Sequence, residues 1–177
     1  MTVAESVEPP ATRVVATREA MHALGVELAS ILRPGDLLVL TGPLGAGKTT
    51  LTRGIGEGLH VRGPVTSPTF VLARTHPSLI GGVPLVHVDA YRLSSALELD
   101  DLDIDFAGSV VVVEWGSGML DGVAESWLEV VIERPTGAGA SDVDATDDED
   151  DELDDDELDA DEPRTVRITG FGPRWTA

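Results

Sequence analysis

At 177 residues with 42% hydrophobic content, the chain has room for one folded domain with a sizeable core. It has no cysteine, which excludes disulfide scaffolds and thiolate metal sites, and no apolar run nears the roughly 20 residues of a membrane-spanning helix. The net charge of −20 is local: residues 136–162 hold 15 of the 32 acids and no Lys or Arg, and the other 17 acids face 12 bases, so the folded part lacks the electrostatic drive for direct nucleic-acid binding.

Residues 1–12 read as a flexible tail. Met1 to Pro10 are acidic and proline-bearing, without the basic and apolar regions of a signal peptide, so a cytoplasmic location is expected. Arg13–Ala16 reads as a short first strand. Thr17 suits a helix N-cap, with Glu19 in the first turn. Met21, Leu24, Leu28, Ile31 and Leu32 then recur at helical spacing until Pro34-Gly35 stops the helix. Asp36–Thr41 reads as a short buried strand, and a second helix runs from about Lys48 to Leu59, weakened by Gly54, Gly56 and Gly58.

Between that strand and that helix lies Gly42-Pro43-Leu44-Gly45-Ala46-Gly47-Lys48-Thr49, which fits G-x-x-x-x-G-K-[ST] at every fixed position. A strand, a glycine-rich turn and a helix start make a phosphate cradle. Backbone N–H groups point inward, and the helix N-terminus adds partial positive charge. Lys48, the only lysine in the chain, is expected on the β- and γ-phosphates, and the Thr49 hydroxyl on Mg²⁺. Nucleotide contacts are expected from Gly42, Pro43, Leu44, Gly45, Ala46, Gly47, Lys48, Thr49 and Thr50.

Pro64–Phe70 follows as a polar, proline-rich loop. Its Thr66, Ser67, Pro68 and Thr69 could sense a γ-phosphate as a switch loop, or form an ordinary Ser/Pro turn. Phe70–Arg74 looks like a strand, and Val83–Val88 another that ends in Asp89. Residues 94–106 carry an acidic amphipathic segment. Ser109–Val113 is an unbroken apolar run ending in Glu114, suited to the centre of a parallel sheet covered on both faces. Trp127–Arg134 and Arg164–Thr169 alternate like half-exposed strands and are expected to pair as a hairpin. The acidic run 136–162 connects them, and its composition predicts disorder.

A P-loop NTPase needs an acid at the end of a neighbouring strand to orient Mg²⁺ or water, and ligand chemistry gathers at the carboxyl ends of the strands in open α/β sheets. Glu114 and Asp89 both stand at such ends. Glu114 is assigned to the metal, directly or through water, and Asp89 to the attacking water or the metal shell. Either could instead cap a helix or end a strand in solvent. His87 is more simply a packed strand histidine than a base. Trp115 fits either the core or a cover over the nucleotide. With Lys48 committed to phosphate, no lysine remains for the Asn/Thr-Lys-x-Asp element of guanine recognition, so ATP is favoured over GTP. A small-molecule kinase would want an arginine-rich lid, whereas Arg53, Arg62, Arg74 and Arg92 are scattered.

Four elements now stand in order: Gly42 to Thr50, Thr66-Ser67-Pro68-Thr69-Phe70, His87-Val88-Asp89-Ala90-Tyr91-Arg92-Leu93, and Glu114-Trp115. Together they resemble the TsaE family over residues 13–134 and again over 164–170. The resemblance implies an α/β P-loop NTPase fold, with a mixed, mostly parallel sheet flanked by helices and a C-terminal β-hairpin. Residues 13–135 would form its core, and 163–177 would complete the same domain. It implies ATP and Mg²⁺ as cofactors and a hydrolysis that is weak alone and coupled to a TsaD–TsaB complex. That complex transfers a threonylcarbamoyl group to the adenosine beside the tRNA anticodon, so tRNA is met only through it, and neither DNA nor a membrane is a partner. The family's pattern makes Thr49 and Glu114 the Mg²⁺ ligands, makes Lys48, Asp89 and Glu114 the catalytic set, and puts Thr17 and Arg18 by the base. Two features depart from it. Pro43 stands where the family commonly has an acid and removes one backbone N–H, and the 136–162 insertion is longer and more acidic than the usual connection. Two other readings stay open: a P-loop small-molecule kinase, and a nucleotide-gated assembly module with incidental hydrolysis.

Overall fold

The computed structural model describes residues 7–43, 45–65, 73–90, 102–114, 124–134 and 162–176. In chain order the elements are β1 (Ala11–Val15), α1 (Arg18–Ala29), β2 (Leu37–Thr41), α2 (Lys48–Gly58), β3 (Ala73–His76), β4 (Leu85–Asp89), β5 (Val110–Glu114), β6 (Trp127–Glu133) and β7 (Arg164–Phe171). The strands form one sheet in the order β1-β7-β6-β2-β5-β4-β3. The four central strands, β6, β2, β5 and β4, run parallel. The β1–β7, β6–β7 and β3–β4 pairs at the two sides run antiparallel.

Apolar content decides who sits in the middle. β2 and β5, the least interrupted apolar strands, are buried along nearly their whole length and pair directly, Leu37 with Val111 and Leu40 with Glu114. Alternation then divides their side chains between two faces. Leu38, Leu40, Val110, Val112, Val130 and Ile168 pack with Met21, Leu24 and Leu28 of α1 and with Leu51 and Ile55 of α2. Leu37, Val39, Val86, Val88, Val111 and Val113 form the opposite core, covered by half-buried Leu102, Ile104, Phe106 and Trp127. The described part of the acidic segment, residues 102–106, turns at Asp103 (φ +53°) and lays Leu102, Ile104 and Phe106 over this face of the sheet.

The expected hairpin is present. Trp127 pairs with Phe171 and Glu133 with Thr165, and the Trp127 and Phe171 rings stack with centroids 5.0 Å apart. At the end where the connection leaves it, Arg134 meets Glu162, the last acid of the insertion, at 3.0 Å. Residues 136–161 lie outside the described residues. At the other end of the chain, β1 begins at Ala11, inside the stretch read as a tail, and Val7 ahead of it is buried. Pairing of Ala11 and Thr12 with Ile168 and Arg167 of β7 extends the strand that far.

Helix α1 starts as its sequence dictates: the Thr17 Oγ1 accepts a hydrogen bond from the Ala20 N–H at 3.1 Å. Helix α2 lies tightly against it. A Cβ on Gly54 would stand 2.1 Å from the His22 carbonyl oxygen, and one on Gly25 2.3 Å from that of Leu51. The glycines that weaken α2 on its own are thus what lets the two backbones touch. Past β7, Arg174 reaches back to Asp36 at 3.1 Å and to the Ile31 carbonyl at 2.9 Å, pinning the C-terminal turn to the entrance of β2.

Candidate nucleotide site

The site begins where β2 ends. Gly42 leaves the sheet in close contact with β6, since a Cβ there would lie 3.0 Å from the Ile132 carbonyl. Gly47 takes φ +106°, a left-handed conformation costly for any residue with a Cβ, and stands as the N-cap of α2 with no side-chain cap of its own. The first N–H groups of α2 therefore converge on the loop, the arrangement that receives an anion. Lys48 is buried and folds back over the loop, its Nζ donating to the carbonyls of Gly42 at 2.8 Å and Pro43 at 3.1 Å. Pro43, whose ring removes an N–H, takes part through its carbonyl, which also accepts from the Ala46 N–H at 3.0 Å. Thr49 and Thr50 are buried in the first turn, and Thr52 behind them donates to the Lys48 carbonyl at 2.8 Å. Beside the loop opens a groove of about 430 Å³, lined by Thr41, Gly42 and Pro43 on one side and Val131 to Arg134 on the other.

The two candidate acids come together. Asp89 and Glu114 are register partners at the carboxyl ends of β4 and β5, and Glu114 is also level with Leu40, two residues before the loop. Leu85, Val110 and Val112 belong to the core beneath α2, so alternation puts His87, Asp89 and Glu114 on that same face. Glu114 is only 3% exposed. Its Oε1 lies 3.4 Å from Nε2 of His87, which is fully buried. His87 is packed, as a strand histidine should be, yet it is packed against the acid itself.

Thr17 and Arg18 stand at the start of α1, one turn before Met21, and Met21 lies 3.2 Å from where a Gly47 Cβ would be. The first turn of α1 therefore abuts the phosphate loop, although the Thr17 hydroxyl is engaged as a cap. Arg164 was not anticipated from the sequence. It is buried at the head of β7, with its guanidinium 3.4 Å from the same Gly47 position. The signal was there in the alternation, since Arg164 shares the parity of the core residues Val166 and Ile168. Leu44, Thr66, Ser67, Pro68, Thr69 and Trp115 lie outside the described residues.

The donor set fits a nucleotide with Mg²⁺. The left-handed Gly47 and the uncapped α2 start suit phosphate. The Thr49 hydroxyl and Glu114 carboxylate are hard oxygen donors of the kind Mg²⁺ takes. Among the described residues no group of three or more His, Cys, Asp or Glu could hold a metal unaided. Mg²⁺ is ordinarily completed by substrate phosphates and water.

The family model for the threonylcarbamoyl adenosine biosynthesis protein TsaE matches residues 15–140. The chain belongs to the TsaE family. A tRNA threonylcarbamoyladenosine biosynthesis protein TsaE from Streptomyces coelicolor is 53% identical over 158 residues, which cover 88% of this chain and 93% of that one. Its counterpart in Bacillus subtilis is 39% identical over 117 residues, 66% of this chain and 73% of that one. The crystal structure of Bacillus subtilis YdiB superposes with a TM-score of 0.66 at 29% identity, covering 93% of this chain and 88% of the other. TsaE membership places the chain in tRNA threonylcarbamoyladenosine biosynthesis and agrees with the α/β P-loop NTPase fold. No helix among the described residues is long and apolar enough to cross a membrane.

Proposed function

We propose that this TsaE-family protein is a Mg²⁺-dependent ATPase of the cytoplasm, slow alone and driven by a TsaD–TsaB type complex during threonylcarbamoylation of tRNA. The observation that carries the reading is the placement of Glu114 and Asp89 level with each other on the α2 face, beside a loop that buries Lys48 and Thr49. The N–H groups of the α2 start bind the phosphates. Lys48 exchanges the carbonyls of Gly42 and Pro43 for β- and γ-phosphate oxygens. Thr49 and Glu114 would hold the metal, which when bound would neutralise charge developing on the phosphates. Asp89 or Glu114 orients a water for in-line attack on the γ-phosphorus; the bond from that phosphorus to the ADP oxygen breaks as the new P–O bond forms, and the water's proton passes to a phosphate oxygen. No covalent intermediate on the protein is needed, so the catalysis is positioning and electrostatics. Arg18, a turn from Met21, flanks the base with Thr17. The Thr66–Phe70 loop relays hydrolysis to the partner.

The test is phosphate release from ATP, with and without the matching TsaD–TsaB complex and tRNA. We expect strong stimulation by the complex, reduced about 100-fold or more in Lys48→Ala. A phosphorylated acceptor in place of free phosphate would convert the reading to a kinase. ATP-dependent complex formation without productive turnover, and modification surviving in Glu114→Ala, would convert it to a nucleotide-gated module.

A further inference from the structure

We propose that His87 is a positioning residue for Glu114: its Nε2–H donates to Oε1 and turns the other carboxylate oxygen toward the metal–nucleotide site. The inference rests on the reading of Glu114 as a metal-holding group. Its starting point is a pair of buried atoms. His87 is 0% exposed and the Glu114 side chain 4%. Neither the Nε2 of His87 nor the Oε1 of Glu114 makes a hydrogen bond among the described residues, and the two atoms face each other at 3.4 Å. Buried polar atoms without partners are rare and ask for an explanation. Here each is the natural partner of the other.

The sheet enforces the meeting. His87 is level with Val112 in the parallel β4–β5 ladder, so Glu114 lies one same-face step further along the neighbouring strand. Both side chains are buried on the face of the sheet that carries Leu85, Val110 and Val112. A neutral imidazole with its proton on Nε2 supplies the donor, and the carboxylate supplies only acceptors. At 3.4 Å the contact is longer than an ordinary N–H···O bond of 2.7–3.2 Å. Such bonds at catalytic sites are often long before ligands arrive and tighten in the complex. A carboxylate that holds a metal through one oxygen gains orientation from a hydrogen bond on the other, and loss of such an outer partner typically costs 10–100-fold in metal affinity. Arg74, level with His87 on β3, places a positive charge on the neighbouring strand.

The experiment titrates Mn²⁺ into the ADP complex of the full chain and reads free Mn²⁺ by electron paramagnetic resonance. ADP affinity in the presence of EDTA serves as the reference. His87→Gln can place an amide N–H near the Nε2 position, whereas His87→Asn is too short and His87→Leu has no donor. We expect the Asn and Leu variants to bind Mn²⁺ about tenfold more weakly, with metal-free ADP affinity within about twofold and the Gln variant close to wild type. A residue that merely fills the core would lower stability and leave this split flat. Should the Leu variant not fold, the Asn and Gln pair decides the matter. Wild-type Mn²⁺ affinity in the Asn variant, or equal losses in Asn and Gln, overturns the inference. So does a nitrogen-15 spectrum that places the His87 proton on Nδ1. Glu114→Gln separates the levels. If it leaves Mn²⁺ affinity unchanged, the metal reading of Glu114 falls and this inference with it. If it weakens Mn²⁺ while His87→Asn does not, only the role of His87 falls.

Discussion

His76 shows how one buried ring ties stability to pH. It closes β3, is 5% exposed, and its Nδ1–H donates to the Arg62 carbonyl at 3.1 Å. Burial is the main reason its pKa lies below the usual 6.5; the nearby charges of His87 and Arg74 push the same way, and the bond to Arg62 opposes them. The native state therefore binds this proton less readily than the unfolded chain does. The stabilisation is complete above pH 6.5 and is lost as pH falls through the lowered native value. For one such group the slope cannot exceed about 1.4 kcal/mol per pH unit. His76→Asn keeps a donor for Arg62 and removes the titration. Urea unfolding between pH 5 and 7 should show wild type losing stability faster than the variant on acidification. Parallel curves would mean that His76 does not carry the effect. Residues of this kind are hard to read from sequence, because their chemistry comes from burial. Lys48, Thr49 and Glu114 were legible because a motif fixes their neighbours along the chain. His87 and Arg164 were not, because their partners are brought to them by β5 and α2.

The strands β2 and β5 were legible in place, since an unbroken apolar run leaves only the middle of a sheet as its home; that they pair directly is what the fold adds. The helices were legible in extent but not in how they meet. Gly54 reads as a defect in a helix, worth about 1 kcal/mol against alanine. In the fold it is where α2 touches α1, with a Cβ position 2.1 Å from the His22 carbonyl oxygen. Gly54→Ala sets the propensity gain of about 1 kcal/mol against an overpacking penalty of about 3 kcal/mol at a rigid backbone contact. The penalty wins, so a net loss of about 2 kcal/mol is expected. Gly56 is the internal control. A Cβ there would meet side-chain methyls, of Val65 at 3.0 Å, Val61 at 3.2 Å and Leu85 at 3.5 Å, which can shift, so Gly56→Ala should be nearly neutral. Thermal or urea unfolding of the two variants checks the contrast. Equal effects would mean that backbone contact does not govern the α1–α2 packing. The same helix carries Lys48 and Thr49 at its start, so a displaced α2 should also bind nucleotide less well.

At the scale of the molecule, the last strand in sequence is not last in space. β7 sits between β1 and β6 and contributes Val166 and Ile168 to the main core, so the chain must span the acidic insertion before the sheet can close. β6 ends at Glu133 and β7 starts at Arg164, which leaves a 30-residue connection. Replacing residues 136–161 with a four-residue turn would shorten it to eight and keep the Arg134–Glu162 ion pair at its base. The chain-entropy cost of closing the hairpin should fall by about 1 kcal/mol, because that cost grows only with the logarithm of length. The exchange also removes 14 acids and brings the net charge from −20 to −6. Less self-repulsion adds a further gain that salt should screen. Urea unfolding of the shortened chain should therefore show a stabilisation of about 1 kcal/mol in 1 M salt and more than that at low ionic strength. Such a result would agree with the compositional reading of 136–162 as an unstructured spacer. A loss of stability would mean instead that the insertion packs on the domain and contributes contacts of its own. Because Lys48, Thr49, Asp89 and Glu114 lie on strands and a helix that the change leaves intact, and Gly42 follows directly on β2, ATP binding should persist in the shortened chain. If binding were lost while stability rose, the acidic segment would have to act at the groove between Pro43 and Arg134, from whose rim it departs.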